Sequence, residues 1–578
     1  MSRENIRTLL IGIVLLIVFI VVPIVVYGQV EVNTVDEAII WNDKLTTVDF
    51  FHKVKAGALL IALPLLLVLV GMNYIDFKEI RKSIADKFIY GYYLFVLVSA
   101  FFSGYTWVNY FGVNGRYEGL LVITVYVLLF MMGYMWMHDE EEKFMMILMI
   151  AGVSIVTLIG VPQYFGFDLF RTAFGKSLIT PDNLGVSIDD LTFRVGAKTI
   201  YSTLYNPNYL GSFYTLVIPA LMGIYFKIKN KKLKVGVIVL TVLSVFALFG
   251  SKSSAGMTGL AVILLFSMLL LMRKANKKVV LVVVVGLLLA VGIFNSGVKS
   301  FVNDYKNTFN KAAEERLLLD TVRVDNNLLR FEFNDENKNF NIMMNAEGQM
   351  FFLDNDYQKF SYDYNVDNGR IKSEDDRFNF FTGVINKNRL DMRMLSSYMR
   401  FVITKDGWNI LSAGNQLVSS VTIADSWGLE GYERAGSGRG YIWSRTVPLI
   451  KDHLILGSGP DSYVFEFPQD DIVGKMNFMH NTYIIVDKPH NLYLQMAINS
   501  GVVSLILFLM AAGYFVLVGF YKIFKGSLKE PLAVGIYLSI VGYLATSFFN
   551  DSVVSIAPIF WVFFGYGMSK INKAKKLA

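Results

Sequence analysis

The 578-residue chain holds five histidines and no cysteine, which excludes disulfides, thiolate metal sites and cysteine nucleophiles. His52, His138, His453 and His480 fall in loops without a surrounding constellation. His490 is different: it stands in VDKPHNLYLQMAINSGVVSLILFL, where a long polar segment gives way to an apolar one. An imidazole at such an interface can accept a proton near neutral pH. The bland alternative is that the Pro-His-Asn run merely caps a helix.

Upstream lies GSGRGYIWSRTVPLIKDHLILGSGPDSY. Arg439 and Trp443 are four residues apart, one helical turn, so both can face one side; the spacing predicts a helix that ends at the Gly457–Gly459 turn. A guanidinium presents a planar fork that suits phosphate oxygens, so Arg434, Arg439 and Arg445 make a candidate site for a diphosphate. The competing reading is a solvated basic face. Three shorter segments add polar groups beside apolar runs: LYNPNYLGSFY with Asn206 and Asn208, GSKSSAG with Lys252, and NYFGVNGRYEGLL with Arg116 and Glu118. Each is also what an interfacial anchor would look like.

The elements that must position these groups are membrane helices. The chain is 54% apolar and 17% charged, against about a quarter charged for an ordinary soluble protein. A crossing needs about twenty apolar residues. Candidate spans fall near 8–28, 56–75, 88–105, 119–137, 144–161, 209–226, 235–250, 257–272, 279–296, 495–518, 532–549 and 553–569. The first lacks a small-x-small cleavage site and reads as a retained helix, not a signal peptide. The net charge of +7 does not indicate nucleic acid, because KEIRK, KIKNKKLK, RKANKK, YKIFKGSLK and KINKAKK all sit beside spans and set topology. With about twelve spans, both termini are expected in the cytoplasm and the multi-pass chain in the cell membrane. The HDEEEK loop is the one dissenter.

That register places residues 297–491 in one large extracytoplasmic loop, between transmembrane segments at 1–296 and 492–578. From about 320 to 425 the loop alternates apolar and polar residues in LLRFEF, FNIMM, GQMFFL, KFSYDY and MRFVITKDGWNIL, with turn signals at Glu347-Gly348, Asn368-Gly369 and Asp406-Gly407. This is antiparallel β texture. Residues 428–491 are mixed and carry the predicted helix. The fold class expected is an all-α polytopic membrane protein with an inserted extracytoplasmic β-rich domain.

The ordered set FGVNGRYEGL, PQYFGFD, YNPNYLGSFYTLVIP, GSKSSAGMTGL, RGYIWSRTVPLIKDHLILGSGPDSY and DKPHNLYLQMAINSGVVSLILF resembles the O-antigen ligase and O-antigen polymerase superfamily of bacterial membrane glycosyltransferases. The likeness covers the chain from about residue 88 onward, apart from 306–428. It implies a C-type glycosyltransferase fold, in which a glycan passes from an undecaprenyl-diphosphate carrier to an acceptor hydroxyl without metal or other cofactor. The acceptor is a glycan, lipid or protein, and membrane lipids are the surroundings. Carried over by motif, Arg439 binds the diphosphate, His490 acts as base on the acceptor hydroxyl or orients it, and Asn491 stands in the same PHN element. Lys252 takes the second phosphate contact where the superfamily often has Ser-Arg. That is a departure, since lysine is a point charge and cannot pair bidentately. The β insertion is a second.

A lipid diphosphate is already a good leaving group, so catalysis needs charge neutralisation and positioning more than acid help. No D-x-D stands at a membrane edge, and the paired acids at 189–190, 375–376 and 470–471 have no spaced partner. Within the superfamily the PHN-x-YL element leans toward a ligase, with a repeat-unit polymerase as the alternative. A transporter or flippase fits the span count but not the long outer loop, and a sensor would lack any cytoplasmic relay.

Overall fold

The computed structural model describes residues 2–574, except for 35–36, 39–45, 73–83, 273–316 and 413–415 and single residues 186, 194, 346, 348, 366, 396, 406, 420, 422 and 480. The expected span at 279–296 and His480 therefore lie outside the described residues.

A helical bundle is built from α1 (Arg3–Ile24), α2 (His52–Met72), α3 (Ile84–Phe102), α4 (Leu120–Met135), α5 (Asp139–Tyr164), α6 (Pro207–Lys227), α7 (Lys231–Gly250) and α8 (Ser254–Met272). After the β-rich segment come α9 (Ala435–Leu449), α10 (Leu492–Ser500), α11 (Val502–Lys525), α12 (Pro531–Thr546) and α13 (Ala557–Lys573). Among the described residues, seven helices are long and apolar enough to cross a membrane, namely α1, α2, α5, α6, α7, α8 and α11. The protein is a multi-pass membrane protein. α4 and α12 are shorter apolar helices and lie largely buried inside the bundle.

Lipid offers no hydrophobic drive between helices, so close packing of small residues must hold them together. α6 and α12 meet across Gly223 and Gly535, where an added Cβ on Gly535 would lie 3.0 Å from the Gly223 Cα. α4 and α13 meet at Gly133, where a Cβ would stand 2.5 Å from the Val562 carbonyl. Helix ends are set locally. Asn206 accepts the Asn208 amide and Pro207 opens α6, Asn491 caps α10, and Gly526 closes α11 in the left-handed region at φ 79°.

Strands β1 (Gln29–Val32) and β2 (Thr46–Asp49) form a hairpin between α1 and α2. The β-rich segment holds a four-stranded meander of β3 (Leu319–Asp325), β4 (Leu328–Phe333), β5 (Phe340–Met344) and β6 (Met350–Asp354). A seven-stranded meander follows: β7 (Tyr362–Asn365), β8 (Arg370–Ser373), β9 (Phe381–Asn386), β10 (Arg389–Met394), β11 (Ser397–Thr404), β12 (Gly407–Leu411) and β13 (Leu417–Val418). Period-two alternation puts one face of each strand inward; β4 buries Leu329, Phe331 and Phe333. Phe331 and Phe340 pack against Phe401 and Phe381 of the other sheet, with centroids 5.5 and 4.6 Å apart. The resulting core also takes in Ile472, Val473 and Met476 from the short helix Ile472–Phe478. Asn477 fixes that helix to β3, accepting from the Leu319 amide at 2.9 Å and donating to its carbonyl at 2.8 Å.

Candidate functional site

The PHN element forms a corner. His490 has φ 51°, in the left-handed region, a conformation that costs a non-glycine residue about 1–3 kcal/mol and persists only where the surroundings impose it. They do so here. The Pro489 carbonyl accepts from the Trp443 indole at 2.8 Å, and the Asn491 side chain accepts from the Tyr493 and Leu494 amides to start α10. The Asn491 amide itself donates to Asp551 Oδ1 at 3.2 Å. The corner points the imidazole at the other oxygen of that carboxylate, with His490 Nδ1 3.3 Å from Asp551 Oδ2. The His490 side chain is 32% exposed and that of Asp551 fully buried, so one face of the ring remains open.

Asp551 lies in the turn between α12 and α13 and is pinned on both sides. Asn550 donates to the Asn208 carbonyl at 3.2 Å and to Ser212 at 2.8 Å on α6, while Ser552 donates to Glu118 at 2.6 Å. Burial alone would raise the Asp551 pKa. The close approach of His490 and the positive charges of Arg116 and Lys488 outweigh burial and hold it below the usual carboxylate range. A carboxylate locked in the ionised form on Nδ1 selects the tautomer whose Nε2 carries the free lone pair.

Arg116 sits behind this pair. Its Nε donates to Asp461 at 2.9 Å, Nη2 lies 3.9 Å from Glu118, and it also senses Asp551 and Asp487. Asp461 accepts the Val113 and Glu118 amides. This explains the glycine-rich turn before it. Gly459 has φ 117°, and the Ser458 and Gly459 amides bond the Ile498 and Asn499 carbonyls of α10 at 2.9 and 3.0 Å. A Cβ on Gly459 would also meet Ser103, 2.6 Å from its hydroxyl oxygen. Lys488 donates to the Tyr209 hydroxyl at 2.8 Å and lies 3.5 Å from Asp487.

The arginines of α9 divide by helical face. Trp443 docks on Pro489, and Arg439, one turn earlier on the same face, has Nη1 2.9 Å from the Gly436 carbonyl. Arg445, two residues beyond Trp443, points the other way. It is buried, with Nε 3.1 Å from Asp471 and its guanidinium 4.7 Å over the Tyr441 ring. Arg434 donates to the Asn477 carbonyl at 3.0 Å. Both therefore brace the 471–479 segment. The helix stops at Leu449 and continues as a 3-10 turn over Ile450–His453, short of the expected Gly457–Gly459 end. Lys252 is exposed on the turn between α7 and α8, with Nζ 3.5 Å from the Ala197 carbonyl. His52 does have a partner: its Nδ1 lies 3.3 Å from Asp49, beside Tyr205 and Tyr209. His453 pairs with Glu466 at 3.4 Å.

The corner thus gathers His490, Asn491, Trp443, Arg116 and Asn208 with three groups that the sequence did not single out, Asp551, Asp461 and Lys488, while Asn206 only caps α6. Residues 394–509, from the end of β10 through the PHN corner into α11, match the family model described as O-antigen ligase. No curated protein and no solved structure matches the chain.

Proposed function

From the membership of the O-antigen ligase and polymerase superfamily that this match supports, we propose that the protein transfers a glycan from an undecaprenyl-diphosphate carrier to an acceptor hydroxyl, acting as a ligase. The observation that carries the reading is the His490–Asp551 pair, an open imidazole held by a buried ionised carboxylate.

In this mechanism the acceptor hydroxyl gives its proton to His490 Nε2 as its oxygen attacks the anomeric carbon. The bond from that carbon to the diphosphate oxygen breaks, the electron pair leaves with the diphosphate, and the anomeric configuration inverts. Asp551 orients the ring and stabilises the imidazolium, while its 3.3 Å separation shortens once substrate is bound. Arg439 neutralises the leaving diphosphate, with Lys252 as the second cation. Arg445 and Arg434 act through the segment they brace, since their guanidinium groups already serve Asp471 and the Asn477 carbonyl.

The test is transfer by purified protein in lipid nanodiscs. His490→Ala should lower turnover by about 10²–10⁴-fold, the usual worth of a positioned base, with normal insertion; full turnover in that variant would refute the role. Lipid-linked glycan from a deletion strain separates the two branches, since full-length chains accumulate without a ligase and single repeats without a polymerase.

A further inference from the structure

The side chains of the seven-stranded sheet that point away from its core form a charged face. Residues directly opposite in an antiparallel sheet share a face, so the register fixes which of them stand together. One row runs Asp363, Lys372, Thr382, Arg393 and Tyr398 across β7 to β11, and the next runs Asn365, Arg370, Val384, Asp391 and Arg400. Arg389 follows, opposite Asn386 and Val402. The intervening positions, such as Ile371, Met392 and Met399, are buried in the core. At about 4.8 Å between strands, each row is about 19 Å long.

Cations outnumber acids on this face. Arg389 lies 2.9 Å and Arg400 4.0 Å from one shared carboxylate, Asp391. Arg370, Lys372 and Arg393 are exposed, and among the described residues their side chains make no hydrogen bond or ion pair. The four-stranded sheet is built otherwise: Arg323 pairs with Glu332 at 3.3 Å, and Arg330 stacks on Tyr357. An aromatic pair adjoins the surplus charge. Tyr398 and Tyr483 have ring centroids 5.3 Å apart, and the Arg400 guanidinium lies 5.1 and 4.6 Å from them. Tyr483 accepts the Arg400 amide at 2.7 Å, and the Thr482 and Ser397 hydroxyls pair at 2.6 Å. From Tyr483 the chain reaches His490 in seven residues, a span of at most about 25 Å.

We propose that this face binds a glycan bearing acidic groups, carboxylate or phosphate, and holds it beside the PHN corner as a substrate of the transfer. Guanidinium forks pair bidentately with such groups, and neighbouring cations with no acid opposite gain from an anionic partner. Arg393, Arg370 and Lys372 take the acidic groups. Arg400 fixes the two tyrosine rings, whose apolar faces suit the C–H faces of a sugar. Each contact is weak in water, so the hold comes from successive acidic sugars of one chain engaging the rows together. A lipid surface fits less well, because interfacial binding buries apolar side chains beside the cations, and Val384 is the one aliphatic residue in the two rows. The choice of a glycan rests on the proposed transferase reading; the surplus of positive charge does not.

Binding of galacturonan oligosaccharide to the full chain in phosphatidylcholine nanodiscs tests this, with dextran of equal length as the neutral control. Galacturonan should bind at least about tenfold more tightly than dextran. Its affinity should fall as salt rises from about 0.1 to 1 M and the screening length shrinks from about 10 to 3 Å. Arg370→Glu combined with Arg393→Glu alters two exposed, unpaired side chains and should weaken binding about tenfold or more. Arg323→Glu, on the other sheet, should leave it unchanged. His490→Ala should bind galacturonan like the parent, so that the transferase reading and this surface fail separately. In transfer assays the double variant should raise KM for an acidic acceptor if the acceptor is the chain held, or for an acidic carrier-linked donor if the donor is. Equal affinity for dextran and galacturonan, binding indifferent to salt, or unchanged affinity in the double variant would overturn the surface. So would binding to phosphatidylglycerol vesicles that the double variant loses, with no binding to galacturonan, which would give the face to lipid. Galacturonan binding with neither KM moved would overturn the substrate role.

Discussion

Two charged clusters close the two ends of the helical bundle, and they are built on opposite plans. At the end formed by the start of α5 and the ends of α6 and α13, Lys227 lies 2.6 Å from Glu530, and Lys570 lies 3.0 Å from Glu142 and 2.9 Å from Glu530. Lys227 also bonds Glu142, and the Tyr566 hydroxyl donates to Glu142 at 2.6 Å. Cations and anions are matched in number and each is shared. At the other end, acids outnumber cations around Arg116. Side-chain atoms of Glu118, Asn499 and Arg116 make no protein hydrogen bond, and the backbone is left-handed at Tyr117, Asp461 and His490. A network that satisfies itself holds helices together; one left short of partners and strained is poised for something that is not protein.

If that contrast is sound, the two ends must fail differently. Asp551→Asn keeps the shape of the His490–Asp551 pair but removes the charge that selects the Nδ1–H tautomer. It should cost about 10²-fold or more in turnover with little change in carrier KM, measured by initial rates in nanodiscs. A variant that turned over normally would put the imidazole out of the chemistry. Glu142→Gln at the braced end should do the reverse. It leaves Lys227 and Lys570 with one shared carboxylate, at a cost on the order of 1–3 kcal/mol, discounted because both lysine side chains are partly exposed. The thermal midpoint should fall while turnover per folded molecule holds. Loss of turnover without loss of stability would erase the distinction between the ends.

The sequence exposed the parts of each end unequally. Hydrophobic runs announced the membrane helices, and period-two alternation announced β4–β7, β11 and β12, because burial on one face leaves a direct trace in composition. β3, β8 and β10 interrupt the alternation with charges such as Arg323, Lys372 and Arg393 on their exposed faces, β9 carries the small Gly383, and none of the four stood out. His490 stood out because a histidine beside a span is rare. Asp551 did not, although an acid at the mouth of the last span carries its own signal, because its partner is 61 positions away and no local spacing joins them. Arg445, a diphosphate-binding candidate in the sequence, is buried against Asp471 for a simple reason. Its helical face is set by where Trp443 docks, and its counter-ion Asp471 lies beyond a turn. The Gly457–Gly459 turn reads as a helix stop in sequence, whereas its glycines are needed because the backbone runs against α10 and Ser103.

The smallest expected effect sharpens the contrast within the His490 end, between two carboxyls that burial treats alike and their neighbours treat differently. Asp551 is held below its unfolded value, so its contribution to stability is complete above about pH 4 and is lost only as pH falls through its native pKa. Glu118 is held above its unfolded value, so the native state binds the extra proton. Stability therefore falls as pH rises from about 4.3 through the native value, and is level beyond. Thermal midpoints in nanodiscs at stepped pH should then diverge by variant. Asp551→Asn should lie below the parent by a constant amount at neutral pH, with the gap closing in acid. Glu118→Gln should gain on the parent as pH rises, since it has no carboxyl to ionise. Parallel curves for both variants would mean that Arg116 and the buried bonds leave the two acids electrostatically equivalent, and the Arg116 cluster would then be a brace like the one at the far end.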